Sequence, residues 1–445
     1  MKRTRLFIAL FFLYAWPYAQ EEPVSFTLGE AIAFALENNY KALNADRDII
    51  DARNQKWETI ASGLPQITGD ISYQNFLKQP VSLIPAEFFG GEPGEFQPIV
   101  FGQPQQATAT ATLRQQVFDG SYIVGVQATK AFLSYSQNNK EKTQQEVRKA
   151  VVEAYGNVLL AGESVSILKN NLEALSENLY ETRKLYENGL AEEESVEQLQ
   201  ITFSTVESQL NNAIRLEKIT LQMLNLVLGL PLDSPTTLEE DLDDLAQAYV
   251  DPTLLNAPFI MENNVDYKLV NNLNEQRYYE LKLAKSRALP TLNAFLNYGS
   301  TAFSDSFTFF DGDQQWFDSS ILGFDLSIPI FSSLKRSAST QRAKIALEKA
   351  KTQLTETEEQ IRLQLEKAKS DYQLAIEQYA TTQENLDLAE RIERKNQIKY
   401  KEGIASSFEL RQAQTQLYSA QQEYLQSMVN VITAKTELEV IANNN

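Results

Sequence analysis

The chain of 445 residues contains no histidine and no cysteine. Their absence excludes most zinc sites, thiol nucleophiles, Ser-His-Asp triads and disulfides. Paired carboxylates survive that filter, so a carboxylate hydrolase is still open. Basic residues are scarce as well: 40 Lys and Arg against 59 Asp and Glu leave a formal charge of −19. Nucleic acid needs a basic surface for its phosphates and is not expected as a partner. No internal window offers the roughly 20 apolar residues of a membrane-spanning helix. Proline is missing from two long stretches, 120–188 and 333–402.

The N-terminus has its own pattern. Lys2, Arg3 and Arg5 precede a short apolar run, Leu6 to Tyr14, and then a small-residue exit ending at Ala19. That order is expected of a secretory signal peptide over residues 1–19, and its removal would take the charge to about −22. With no cysteine, no lipid can be attached to a new N-terminus.

The remainder reads as one pattern written twice. "SGLPQITGDISY" (Ser62 to Tyr73) is matched by "RALPTLNAFLNY" (Arg287 to Tyr298), and "QQVFDG" (Gln115 to Gly120) by "IPIFSS" (Ile328 to Ser333). "YENGLAEEESVEQLQ" around Gly189 is matched by "YKEGIASSFELRQAQ" around Gly403. The expected organisation is a first repeat over 20–228, an inter-repeat linker over 229–255 and a second repeat over 256–445. In each half a helix meets Leu-Pro, at Pro65 or Pro290, and the chain turns to period-two alternation. Strands are expected at about 66–78, 106–118, 291–303 and 317–330.

The two proline-free stretches predict helices of about 100 Å at 1.5 Å per residue. Ile361, Leu365, Ala368, Tyr372, Ala375, Tyr379, Leu386 and Ala389 step by threes and fours, a narrow coiled-coil seam. Shorter helices are expected over 28–62, 190–228, 256–288 and 404–441. Gly189 and Gly403 are placed to turn each long helix back, because glycine takes positive φ without penalty.

The four strand windows are about ten residues long with alternating polarity, which suits a membrane β-strand as well as a half-buried soluble sheet. The connections Gln79 to Gln105 and Phe303 to Phe317 read as long, irregular and aromatic, like the outer loops of a membrane barrel. Four strands cannot close a barrel, and open edges are not tolerated in lipid. Spanning strands therefore require several copies, and three copies would give twelve.

With these features in this order, the sequence resembles the TolC family of outer-membrane efflux channels. The resemblance covers nearly the whole chain after residue 19, from "TLGEAIAFALENN" (Thr27 to Asn39) to "YKEGIASSFELRQAQTQL". It implies a mainly α fold with a small transmembrane β-barrel portion. A long antiparallel α-helical barrel would carry four strands per protomer into a shared trimeric 12-stranded barrel. It implies a homotrimer in outer-membrane lipid, docked to a periplasmic adaptor and an inner-membrane pump, without catalysis or cofactor. It places a constriction at the helical hairpins, where Glu409 matches a family acidic position. Gln412 stands uncharged at the next such position, and Ala405 where some members carry a basic latch. In the first hairpin Ser195 has the equivalent offset. Gly189 and Gly403, with Glu192, Glu193, Glu194 and Glu197, mark the turns and an expected docking surface.

The physical reading of these carboxylates is double. A ring of Glu409 side chains across a narrow pore would concentrate cations. Glutamates in the first turn of a helix are also favoured by its dipole alone. A secreted coiled-coil interaction protein without a pore explains the helices equally well, but not the four strand windows.

Overall fold

The computed structural model describes residues 24–443; the expected signal peptide lies outside them. In chain order the elements are β1 (Val24–Phe26), α1 (Leu28–Asn38), α2 (Tyr40–Ala61) and β2 (Gln66–Asn75). A hairpin of β3 (Val81–Pro85) and β4 (Phe96–Val100) follows, then β5 (Gln105–Asp119), α3 (Gly120–Glu187) and α4 (Glu193–Leu228). The chain continues through β6 (Thr236–Leu238), α5 (Leu242–Tyr249), α6 (Val265–Ser286), β7 (Thr291–Ser304) and β8 (Trp316–Ser327). It ends with α7 (Lys335–Lys401) and α8 (Ser407–Ala442).

These elements form two compact units that cut across both sequence repeats. One takes residues 45–140 and 265–360; the other takes the chain up to 44, 141–264 and 361 onward.

The first unit holds a four-stranded antiparallel sheet in the order β2-β5-β7-β8. Its register explains the alternation. Ile67, Ile71 and Tyr73 of β2 stand opposite Leu113, Ala109 and Ala107 of β5. Leu113 in turn faces Leu296, and Leu296 faces Leu322. All lie on one face, joined by Ala294 and Phe324. The other face carries Asp70, Ser72, Thr108, Thr110, Thr112, Arg114 and Asn297. One face is thus apolar and exposed and the other mostly polar, the inverse of a soluble sheet that buries its apolar side. Within the chain β2 and β8 are open edges.

Gly323 leaves room for its neighbour: a Cβ there would lie 2.3 Å from the Phe295 ring and displace it. The connection 79–105 departs from the irregular loop expected: it folds as the β3–β4 hairpin, with Val81 opposite Val100 and Pro85 opposite Phe96. Its prolines mask the strand signal, yet in a two-stranded ribbon they need not donate to a ladder.

The two strand-to-helix junctions differ. β5 runs straight into α3, with Asp119 Oδ1 accepting from the Ser121 amide at 2.6 Å. β8 reaches α7 through seven residues in which Ser333 and Leu334 take φ of 47° and 65°. Arg336 bridges that bend, donating to the Pro329 carbonyl at 2.7 Å and the Ile330 carbonyl at 3.3 Å.

The second unit is helical with a packed core. Seven of the eight seam positions on α7 are buried; Leu386 is half-buried. Val151 and Tyr155 of α3, Leu224 and Leu228 of α4, and Leu425 and Ile432 of α8 complete the core. Each fully buried side chain of this size contributes about 1.5–3 kcal/mol. The hydroxyl of Tyr372, fully buried, donates to the Tyr249 carbonyl at 2.6 Å and accepts from the Asp251 amide at 2.8 Å. α3 also carries one window apolar enough to cross a membrane by length and composition, which the sequence reading had not expected. Its buried valines serve this core.

One further expectation is corrected. The single helix 28–62 is two helices: Asn39 adopts extended backbone, and its Nδ2 donates to the Val227 carbonyl at 2.6 Å. The span 229–255, expected as the inter-repeat linker, is not without structure of its own: it carries β6 and α5. β6 pairs in parallel with β1, and Leu242, Leu245 and Ala246 enter the core.

Candidate gate at the helical hairpins

Both hairpins belong to the helical unit. Each long helix ends in the same cap. The Gly189 amide bonds to the Tyr186 carbonyl at 2.9 Å, and the Leu190 amide to Leu185 at 2.8 Å. The Gly403 amide bonds to Tyr400 at 3.0 Å, and the Ile404 amide to Lys399 at 2.8 Å. This paired pattern needs a left-handed residue, and φ is 71° at Gly189 and 75° at Gly403. A Cβ on either would meet no atom within 4 Å, so conformation and not crowding calls for glycine. Leu190 and Ile404, the next residues, are each 76% exposed, so both tips present an aliphatic side chain.

α8 starts on a capping box. Ser406 Oγ accepts from the Glu409 amide at 3.3 Å, and the Glu409 carboxylate accepts from the Ser406 amide at 2.7 Å and hydroxyl at 3.0 Å. These bonds, first the backbone one and then the hydroxyl, hold the Glu409 carboxyl below its ordinary pKa range; Lys399 adds to them. Glu409 is exposed and charged at neutral pH, but its carboxylate folds back on its own helix. Gln412, one turn on, is exposed.

α4 starts differently. Glu192 is the cap residue without a side-chain cap bond, and Glu193 and Glu194 fill the first turn. Glu194 accepts from Gln198 Nε2 at 2.8 Å, and Glu197 is exposed. Ser195 is half-buried, and its Oγ donates to Ser407 Oγ at 3.2 Å, two residues before Glu409. The first turns of α4 and α8 therefore touch, which brings Ser195 to the Glu409 turn. Pro65 and Pro290 lie outside this region, each one residue before a strand, β2 or β7. Among the described residues no group of three or more His, Cys, Asp or Glu side chains could hold a metal ion.

Comparison with known proteins decides the family. The model of the outer membrane efflux protein family matches residues 97–230 and 272–444. The chain belongs to that family. The alkaline protease secretion protein AprF of Pseudomonas aeruginosa is 21% identical over 340 residues, covering 75% of this chain and 69% of that protein. The outer membrane protein VceC of Vibrio cholerae shares the fold with a TM-score of 0.70 at 15% identity, over 93% of this chain and 95% of that one. The CmeC outer membrane channel of Campylobacter jejuni does so with a TM-score of 0.72 at 17% identity, over 99% and 93%. The protein is an outer-membrane channel for efflux or secretion, and the apolar sheet face is the one suited to lipid.

The channel's hairpins hold residues that sequence reasoning missed. Thr182 is fully buried, and its hydroxyl shares a hydrogen bond of 2.8 Å with the Tyr400 hydroxyl, tying α3 to α7. Asn171 Nδ2 donates to Gln421 Oε1 at 2.9 Å, tying α3 to α8. Asn178 and Gln414 are buried at 3% and 2%, with Asn178 Nδ2 and Gln414 Oε1 lacking a partner. Burial raises the pKa of Glu393 on α7 against the opposing effects of a Gln414 hydrogen bond and Arg394. At the hairpin end these polar side chains are buried beside aliphatic ones, among them Leu175, Leu199 and Leu410. Amides at coiled-coil spacing, Asn171 and Asn178 one heptad apart, were the available signal.

Proposed function

We propose that three copies of this chain assemble into one passive export duct. Three four-stranded sheets close into a twelve-stranded barrel, each β8 edge pairing with the β2 edge of the next copy. The observation that carries this reading is the sheet itself: open at both edges, apolar on its exposed face and mostly polar on the other. Unpaired edges cost several kcal/mol per orphaned group in lipid, so closure by further copies is required.

The duct is gated at the hairpins, with Ser195, Glu409 and Gln412 at its constriction. Three Glu409 carboxylates facing one lumen would favour cations. The tips around Gly189 and Gly403, with exposed Leu190 and Ile404 beside Glu192, Glu193, Glu194 and Glu197, are the docking surface for a periplasmic adaptor. The adaptor joins the duct to an inner-membrane pump that supplies the energy; the duct itself performs no chemistry. The name of AprF as a secretion protein favours secretion or efflux through such an assembly.

Planar-bilayer conductance under a salt gradient tests this. The expected result is small cation-selective steps from a trimer, with selectivity falling in Glu409→Gln. Glutamine can keep the capping box while removing the charge. Unchanged selectivity would remove Glu409 from the lumen. Protein released from membranes by carbonate washing would refute the duct.

A further inference from the structure

One row of the sheet crosses all four strands: Tyr73, Ala107, Ala302 and Trp316. The outer two are large aromatics and the inner two are alanines, which leaves a hollow on the apolar face. Phe309, from the β7–β8 connection, fills it. Phe309, Ala107 and Ala302 form a buried cluster at 7%, 7% and 0% exposure. Phe309 meets the Tyr73 ring edge-on at 5.8 Å, and Phe307 meets Tyr73 at 5.4 Å and Phe310 at 5.9 Å. Hydrogen bonds hold the connection in place. Ser304 and Thr308 hydroxyls are 2.8 Å apart, Thr308 donates to Gln314 Oε1 at 2.8 Å, and Gln314 Nε2 donates to the Phe303 carbonyl at 3.2 Å.

The connection is therefore folded over the apolar face, yet Phe307 is 59% and Phe310 90% exposed. Water would oppose that exposure, at about 25 cal/mol per Å² of apolar surface. The adjoining row supplies the depth. There Ser300 Oγ donates to Asp318 Oδ1 at 2.7 Å on the same face, a polar pair unsuited to hydrocarbon. Aromatic side chains next to such groups favour the headgroup zone.

We propose that Phe307, Phe309 and Phe310, seated on the Ala107–Ala302 hollow between Tyr73 and Trp316, form a lipid-docking surface at the bilayer interface. It is a wedge made by a connecting loop, and it fixes how deep the sheet sits. This rests on the reading that the sheet spans the membrane, and the test separates the two.

Two variants are reconstituted in phosphatidylcholine vesicles with bromine near the headgroup or near the chain ends. In both, Trp57 is replaced by Phe, and Trp16 leaves with the expected signal peptide. The first keeps Trp316 as its tryptophan; the second carries Trp316→Phe and Phe310→Trp. The second should be quenched at least about twofold more by shallow than by deep bromine and be shielded from aqueous iodide. Adding Ala302→Leu, which fills the hollow, should expose it to iodide. If Trp316 is quenched by lipid but the residue-310 tryptophan answers only to iodide, the wedge is refuted and the spanning sheet stands. If neither tryptophan responds to brominated lipid, the spanning sheet itself fails.

Discussion

Gly229, Gly189 and Gly403 all close helices with the same two-bond cap and positive φ, yet the structure separates their substitutions sharply. Each would hold alanine in the left-handed region, at φ of 85°, 71° and 75° respectively. That conformation costs an L residue about 1–2 kcal/mol. At Gly189 and Gly403 the cost stops there, because a Cβ meets nothing within 4 Å. At Gly229 a Cβ would stand 2.3 Å from the Asn38 carbonyl oxygen and 2.8 Å from its carbon. Those are backbone atoms at the end of α1 and cannot rotate away. Shifting them strains the Asn39 bond to Val227 and adds about 1–3 kcal/mol of overpacking. Gly229→Ala is therefore expected to lose about 2–5 kcal/mol and Gly403→Ala about 1–2 kcal/mol. Denaturant titration of the detergent-solubilised protein, followed by far-ultraviolet circular dichroism, gives the ordering. Equal midpoints for Gly229→Ala and Gly403→Ala would refute the reasoning, since it would show that the α1 contact does not resist.

Three further expectations follow from the same geometry. Tyr372→Phe leaves the Tyr249 carbonyl and the Asp251 amide without their shared partner and should cost about 1–3 kcal/mol in the same titration. Ser406→Ala removes the α8 cap and should cost about 1 kcal/mol, with faster hydrogen exchange confined to the first turn of α8. The Glu409 carboxyl has its folded pKa lowered by Ser406, so its contribution is present above its unfolded pKa and is lost as pH falls through the lower folded value. Acidification below about pH 4.3 should then fray the α8 start in the wild type, while Glu409→Gln shows no such step.

Periodic features were the legible ones. The α7 seam from Ile361 to Ala389 could be read because burial on a long helix repeats by threes and fours. The strand faces could be read because alternation is a local property. The glycine turns stood out against long helical runs. What escaped depends on distant partners. Asn39 breaks a helix because Val227 presents a carbonyl to it, a contact across 188 positions. β6 exists because β1 is beside it. The β3–β4 hairpin was hidden by prolines. At the gate, the spacing Ser406 to Glu409 was itself a capping signature. The lumen reading and the cap reading describe one exposed carboxylate, and its bonds to Ser406 are compatible with both. The burial of Asn178 and Gln414 could not be read from either helix alone.

The direct passage from β5 into α3 makes chain length an inherited constraint. With Asp119 the last strand residue and Gly120 the first of the helix, no slack separates them. One residue inserted there would turn α3 by about 100° relative to the strand that feeds it. The part of α3 up to residue 140, which shares a compact unit with the strand, would then present a different side. The same insertion between β8 and α7 falls in a bend of seven residues and can be absorbed there. Of the two strand-to-helix junctions, one fixes chain length as rigidly as a reading frame fixes a gene, while the other has room for a change in length.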